Sequence, residues 1–160
     1  MGGLQTLNGS WGYDRDNLDW KSPETLVKML VDSVSKDGNL LLNVGPTASG
    51  ILPPPQAATL RALGAWNARH GDAVFGSRPL DGAPSSDDPW VRWTRTGDRA
   101  NAFVDAVGHV EIACPPGVDP SSAVTMTDAP VVVERRGDRL IADLPAAAVA
   151  GPAVVRFLLT

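Results

Sequence analysis

Residues 39–44 (NLLLNV) constrain the fold more than any other stretch of the sequence. Three consecutive leucines, preceded by Gly38 and followed by Gly45-Pro46, predict a strand that carries apolar side chains on both faces. Such strands are typical of parallel sheets, in which other elements cover both faces. We therefore expect residues 39–44 to be covered on both sides.

Helical patterns lie before and after this strand. Ser22 is a predicted N-cap, with Pro23 at the first helical position and Glu24 near the positive end of the helix. Gly38 is predicted to end this helix. A second helix is predicted over residues 56–69, and its apolar stripe contains a glycine that we expect to mark a close approach of another backbone. The stripe consists of Leu60, Leu63, Gly64 and Asn67.

Beyond residue 80 the sequence changes to short runs of β-forming residues separated by turn formers. Strands at this spacing indicate an antiparallel sandwich. The predicted strands are residues 90–96, 100–107, 109–114, 122–127, 131–135, 139–144 and 153–159. We therefore expect two domains, over residues 1–79 and 80–160. Two strand–helix units cannot close a barrel, so residues 1–79 are predicted to be part of a larger α/β fold.

Composition excludes several classes of function. Hydrophobic residues make up 43% of the 160 residues, charged residues 20%, and the net charge is −4 without basic clusters, which argues against a nucleic-acid or membrane-surface partner. Cys114 is the only cysteine, and His70 and His109 have no neighbours at ligand spacing, so no disulfide or metal site is expected. The loop at residues 45–50 lacks the Lys and Ser/Thr of a phosphate-binding loop.

Three motifs, in this order, carry a resemblance to a known family: residues 8–13 (NGSWGY), 38–46 (GNLLLNVGP) and 63–79 (LGAWNARHGDAVFGSRP). Together they resemble the C-terminal part of the glycoside hydrolase family 29 α-L-fucosidases. The resemblance implies an α/β plus all-β fold, in which the C-terminal βα units of a (β/α)8-type barrel are followed by an antiparallel β-sandwich. It is carried by residues 4–79 and extends to the β region by architecture only.

The resemblance also implies an activity. Family members hydrolyse terminal α-L-fucosyl linkages of glycans with retention, using an Asp nucleophile and, in many members, a Glu general acid/base, without a cofactor. Both carboxylates are expected upstream of this chain. A Trp-Glu pair that often precedes the Trp-Gly-Tyr motif would put its Glu near position 2, where this sequence has Gly2. We therefore expect the 160-residue chain alone to be an inactive fragment of a glycoside hydrolase.

Trp11 is the candidate substrate-binding residue, because an indole ring can pack on the C–H face or the methyl group of fucose. The alternative is a Trp buried at the base of a loop. Asn43 either points to the barrel mouth or ties down the following loop. His70 is expected to cap a helix C-terminus as a cation. Asp14, Asp16 and Asp19 are expected to form a solvated loop, since the glycine and glutamate of a calcium loop are missing.

Two further functions stay open at this point. The β domain could be a non-catalytic carbohydrate-binding module, in which Trp90 and Trp93 contribute to the sugar surface. The chain could also be a free-standing small α/β domain with an unrelated activity, which predicts a stable monomer that unfolds cooperatively.

Overall fold

The computed structural model describes residues 2–126, 131–146 and 149–160. The first half follows the predicted order of strand, helix, strand and helix. A 3-10 turn at Gly71–Ala73 then leads into the β region. The elements are β1 (Gly2–Thr6), α1 (Pro23–Ser35), β2 (Asn39–Asn43) and α2 (Pro54–His70).

Helix α1 begins as predicted, but it ends differently. The backbone N–H of Thr25 donates to Ser22 Oγ at 3.1 Å, and Pro23 occupies the first turn. At the other end the left-handed residue is Asp37, with φ 57°, and the Gly38 N–H donates to the Ser33 carbonyl at 2.8 Å. An Asp can adopt this conformation at a modest cost, so the glycine itself is not what reverses the chain.

The β region forms two antiparallel sheets. Their strands are β3 (Arg78–Pro79), β4 (Ser86–Asp87), β5 (Trp90–Thr96), β6 (Arg99–Asp105), β7 (Gly108–Ala113), β8 (Val118–Thr125), β9 (Val133–Arg136), β10 (Arg139–Leu144) and β11 (Ala153–Leu159). One sheet has three strands in the order β7-β10-β9; the other follows the order β3-β5-β6-β11-β8, with β4 paired to β5. Three predicted strands have the observed bounds, and the others shift by one to four residues at their ends; position 127 of one predicted strand lies outside the described residues.

The larger sheet has a core on each face. One core lies between the two sheets and includes Trp93, Phe157 and Leu140, which is the arrangement of a β-sandwich. The second core lies between the larger sheet and the two helices, where Phe103 faces Trp66 of α2 at a centroid distance of 6.2 Å. Because neighbouring strand residues alternate between faces, one sheet serves both cores.

Polar contacts join α1 to the same sheet. Arg92 on β5, 11% exposed, donates from Nε to Asp32 Oδ1 at 2.5 Å and from Nη2 to Asp87 Oδ1 at 2.9 Å. Lys28 on α1 forms an ion pair with Asp105 on β6. The two cations lie over the Trp90 ring, 4.9 Å (Arg92 Cζ) and 5.5 Å (Lys28 Nζ) from its centroid. The helices and the sandwich are therefore held together by apolar packing and by paired charges.

Strands β1 and β2 pair in parallel, with Leu4 opposite Leu41. Helix α1 covers one face of this pair: Leu40 and Leu42 are half-buried, and Ser33 of α1 lies close to Gly3. The opposite face is open, since Leu4 is 52% and Leu41 66% exposed. The parallel pairing agrees with the sequence, and within the described residues only one of the two faces is covered.

One expectation about α2 is wrong. Gly64 is exposed, and a Cβ added there would meet no atom of the described residues within 4 Å, so it marks no close approach. The buried side chains of the helix are Gln56 and Trp66. Neither helix is long and apolar enough to cross a bilayer among the described residues.

His70 does not act as a cationic cap. Its ring packs on Trp66 with a centroid distance of 4.8 Å, and its buried Nδ1 has no hydrogen-bond partner among the described residues. Burial, together with the neighbouring Arg69 charge, lowers the pKa of His70 to about 4. The imidazole is therefore neutral at pH 7, and packing outweighs the attraction of the helix dipole.

The lowered pKa predicts a loss of stability in acid. The unfolded chain takes up a proton on this imidazole near its ordinary pKa of 6.5, while the folded chain resists protonation down to about 4. Stability is therefore fully present above about pH 6.5 and falls as the pH drops toward 4. Urea unfolding at about pH 7, 6 and 5 should show a shallower fall in the free energy of unfolding for His70→Gln than for the wild type. His109→Gln, which changes an exposed histidine, should keep the wild-type slope. Equal slopes for His70→Gln and the wild type would contradict this account.

Candidate functional site

An aromatic loop lies at the C-terminal ends of β1 and β2. It spans residues 7–22 and carries Trp11, which is 59% exposed, and Tyr13, which is 45% exposed. The strands end at Thr6 and Asn43, which are paired in register. Trp11 is thus not buried at a loop base, and the ring that the sequence singled out is accessible at the end of the parallel pair.

The loop is stabilised by its own side chains. Asn8, 4% exposed, accepts a hydrogen bond from the Ser10 N–H at 3.0 Å, and Asn17 donates to Ser10 Oγ at 3.1 Å. Lys21 anchors the loop base, since its backbone N–H donates to the Leu7 carbonyl and its Nζ to the Thr6 carbonyl, each at 2.8 Å. These short-range bonds give the loop a defined path without a helix or a strand.

The end of β2 contacts the tip of this loop. Asn43 Nδ2 donates to the Trp11 carbonyl at 2.5 Å. At Gly45, an added Cβ would lie 2.8 Å from the carbonyl carbon and oxygen of Gly12 and 3.0 Å from the Tyr13 nitrogen. The Asn43 amide therefore bonds not to the loop that follows β2, as one of the two possibilities had it, but to the loop that precedes α1. The Trp-Gly-Tyr and Gly-Asn-Leu-Leu-Leu-Asn-Val-Gly-Pro motifs are therefore in direct contact.

Gln56 connects α2 to the same place. It is 2% exposed, its Oε1 accepts from the Gly45 N–H at 3.0 Å, and its Nε2 donates to the Gly45 carbonyl at 3.1 Å. Sequence reasoning treated this residue only as the start of a helix. A signal was present, because Gln56 lies four residues before Leu60 and so continues the inward stripe of the helix.

The carboxylates that follow Trp11 in the loop include one, Asp14, that accepts hydrogen bonds from the loop itself. Asp14 Oδ1 accepts from the Asp16 N–H at 3.0 Å, and Asp14 Oδ2 accepts from Ser10 Oγ at 3.2 Å. Asp14, Asp16 and Asp19 are exposed. Within residues 2–126, 131–146 and 149–160, no group of three or more His, Cys, Asp or Glu side chains is arranged to hold a metal ion.

Cys114 and His109 lie elsewhere. The Cys114 thiol is half-buried at the end of β7, and burial raises its pKa, which disfavours the nucleophilic thiolate. His109 lies on the exposed face of the three-stranded sheet, with its Nδ1 3.9 Å from Asp143 Oδ1. The site at the ends of β1 and β2 therefore offers an exposed indole and a phenol, positioned by amides and glycines, and suits binding of an apolar ligand face better than proton transfer.

Comparison with known proteins finds sequence similarity to α-L-fucosidases. The family profile for α-L-fucosidase matches residues 3–72, which include the aromatic loop, β2 and α2. The α-L-fucosidase of Branchiostoma floridae is 33% identical over 122 residues, covering 73% of this chain and 27% of that protein. The plasma α-L-fucosidase of Rattus norvegicus is 46% identical over 68 residues, covering 41% of this chain and 15% of that protein.

Solved structures extend the likeness to the sandwich. The α-L-fucosidase isoenzyme 1 of Paenibacillus thiaminolyticus superposes with a TM-score of 0.82 at 28% identity, covering 99% of this chain and 39% of that one. The Thermotoga maritima α-fucosidase, solved in complex with fucose, gives 0.81 at 26% identity, covering 98% of this chain and 39% of that one. The chain thus spans about a quarter of the Branchiostoma protein and two fifths of these structures. By motif, sequence and fold, the chain belongs to the α-L-fucosidase family.

Proposed function

We propose that this chain is part of an enzyme that hydrolyses terminal α-L-fucosyl linkages of glycans, and that Trp11 contacts the sugar. The observation that carries this proposal is the exposed indole beyond the C-terminal ends of the parallel strands β1 and β2. Active sites of (β/α)8 barrels lie at that end of the strands. A ring there can cover the C–H face or methyl group of fucose.

We assign residues 1–79 to the end of a catalytic barrel and residues 80–160 to the β-sandwich. The open face with Leu4 and Leu41 supports this assignment, because exposed leucines on one face of a parallel pair match the interior layer of a barrel. Pairing of the larger sheet already begins at Arg78–Pro79, so the proposed boundary lies where the two parts join.

The proposed chemistry is retaining. One carboxylate attacks the anomeric carbon, a protonated carboxyl donates its proton to the leaving oxygen, and water then resolves the glycosyl–enzyme intermediate. We place both carboxyl groups outside this chain. The acidic residues nearest Trp11 in sequence, Asp14 and Asp16, are exposed on the loop, and the Asp14 carboxylate accepts hydrogen bonds from the Asp16 N–H and from Ser10 Oγ.

A non-catalytic sugar-binding module is less well supported. Such modules usually present aromatic rings to the sugar, and the aromatic residues after position 80 are not free to do so. Trp93, Phe103 and Phe157 are buried, and Trp90 lies half-buried beneath Lys28 and Arg92. Saturable binding of fucosylated oligosaccharides by a Trp11→Ala chain would favour the module instead.

A fluorogenic α-L-fucoside tests the proposal. We expect no turnover by the 160-residue chain, and turnover by the polypeptide that the complete open reading frame encodes. In that polypeptide Trp11→Ala should lower kcat/KM roughly 10- to 100-fold, the equivalent of about 1.5–3 kcal/mol of lost apolar contact. The matched control is Leu18→Ala, an exposed apolar residue of the same loop, which should keep the wild-type kcat/KM.

Two outcomes would contradict the proposal. Turnover by the 160-residue chain that disappears on changing one of its own carboxylates would show that the catalytic groups lie within it. An unchanged kcat/KM in Trp11→Ala would remove this residue from the substrate site.

A further inference from the structure

We propose that Asn43, Gly45 and Gln56 are positioning residues for Trp11. These three residues, which we call the support, hold the Trp11-Gly12-Tyr13 backbone and so keep the indole in one orientation. The consequence of the support for sugar recognition rests on the proposed function, but its effect on the orientation of the Trp11 ring can be measured without sugar.

Gly45 sets how closely the loop approaches β2. With any larger residue, the Cβ would lie 2.8 Å from the Gly12 carbonyl group, well inside van der Waals contact. Gly45 is buried, and the obstructing atoms belong to backbone, so neither side can give way cheaply. The absence of a side chain is therefore what lets the tip of the loop rest on the end of the strand.

Gln56 fixes Gly45 in turn. The two hydrogen bonds between its amide and the Gly45 N–H and carbonyl satisfy both backbone polar groups of this buried residue. Buried peptide groups left unpaired are costly, so this orientation of Gly45 depends on the glutamine. Because Gln56 lies in the first turn of α2, a rigid helix sets the position on which the loop rests.

Asn43 forms a hydrogen bond between the end of β2 and the loop. Its amide donates to the carbonyl of Trp11 itself, one bond from the Cα that carries the indole. The side chains of Asn8, Ser10 and Asn17 bond within the loop, and Thr6 and Lys21 hold its base, whereas Asn43 bonds to the backbone of Trp11 at its tip. The support therefore joins strand, helix and loop at the base of the exposed ring.

A fixed ring matters for sugar binding. A flat contact with a C–H face tolerates only small errors of position and tilt, and a ring that must be ordered on binding weakens the affinity. The three residues contact no ligand in this account. They act through Trp11 alone, so their loss should change the ring before it changes the fold.

Fluorine NMR of the chain labelled with 5-fluorotryptophan tests the support directly. Single Trp→Phe variants assign the five tryptophan resonances. We expect Gly45→Ala, Gln56→Glu and Asn43→Asp each to shift and broaden the Trp11 resonance, while those of the buried Trp66 and Trp93 stay in place. Gly64→Ala is the matched control, since a methyl group there meets nothing, and it should leave all five resonances unchanged.

The same spectra can overturn the proposal. A Trp11 resonance identical to the wild type in Gln56→Glu and Asn43→Asp would show that the support does not set the ring. If the spectrum of Gly45→Ala also lacks the folded-state Trp66 and Trp93 resonances, that variant has unfolded. The Gln56→Glu and Asn43→Asp spectra then test the proposal. Asn43 bonds at the surface, so Asn43→Asp is expected to stay folded.

Titration with L-fucose separates this proposal from the proposed function. We expect fucose to perturb the Trp11 resonance of the wild type and to do so with about 2- to 10-fold lower affinity in Asn43→Asp, the effect of one lost hydrogen bond. A wild-type Trp11 resonance that does not respond counts against the sugar contact. The proposal that the support orients Trp11 is tested by the spectra recorded without sugar.

Discussion

Replacing Trp66 by alanine should lower the free energy of unfolding by about 3–5 kcal/mol, the range for large aromatic residues in protein cores. The indole is fully buried between the two helices and the larger sheet, where it contacts Phe103 and His70. Its Nε1 also donates to the Pro152 carbonyl at 3.2 Å, and that acceptor would lose its partner. Urea unfolding followed by circular dichroism measures the change without relying on tryptophan fluorescence.

Trp11→Ala is the matched control, because it makes the same chemical change at a ring that is 59% exposed. It should change the free energy of unfolding by no more than about 0.5 kcal/mol. A Trp66→Ala chain as stable as the Trp11→Ala chain would show that the helices and the sandwich do not depend on their shared core.

Gly151→Ala should cost about 2–4 kcal/mol, through crowding of the same tryptophan and backbone strain. Gly151 has φ +137°, and its added Cβ would lie 2.8 Å from Trp66 Cδ1 and Nε1 and 3.1 Å from Val27 Cγ1. Trp66 and Val27 are fully buried, so neither can move aside without disturbing the core. The shift of the urea midpoint at constant m value measures the cost.

Comparison with Gly137→Ala separates the cost of crowding from the cost of backbone strain. This glycine also has positive φ, +63°, but an added Cβ there meets nothing, so only strain of about 1–2 kcal/mol is expected. In a Trp66→Ala background Gly151→Ala should become less costly, because the ring that it crowds is gone. Equal costs for Gly151→Ala and Gly137→Ala in the wild-type background would exclude the crowding.

The predictability of the site differed among its residues. The Trp-Gly-Tyr motif directed attention to Trp11, and the structure places that ring, exposed, beyond the ends of the parallel pair. Gln56 was missed because a glutamine in a first helical turn is usually solvated. Its burial arises from Gly45, eleven residues away, which only the fold brings within hydrogen-bond distance.

His70 and Gly64 show where local rules fail. A histidine at a helix end and a glycine in a helix stripe both have plausible local interpretations, yet His70 is half-buried against Trp66 and Gly64 lies in solvent. The way the helix packs in the fold decides how far each residue is buried, and propensity carries no such information.

By itself, the sequence determined the order of elements, the start of α1 at Ser22, the parallel character of the leucine strand and the family. These follow from local periodicity, capping and motif order, which act over a few residues. The tertiary structure alone decided that Leu4 and Leu41 face solvent, that His70 is neutral, and that Gln56, Gly45 and Asn43 meet beneath Trp11. Burial and hydrogen bonding between distant segments set these features, because a side chain's environment is fixed by the elements that pack against it.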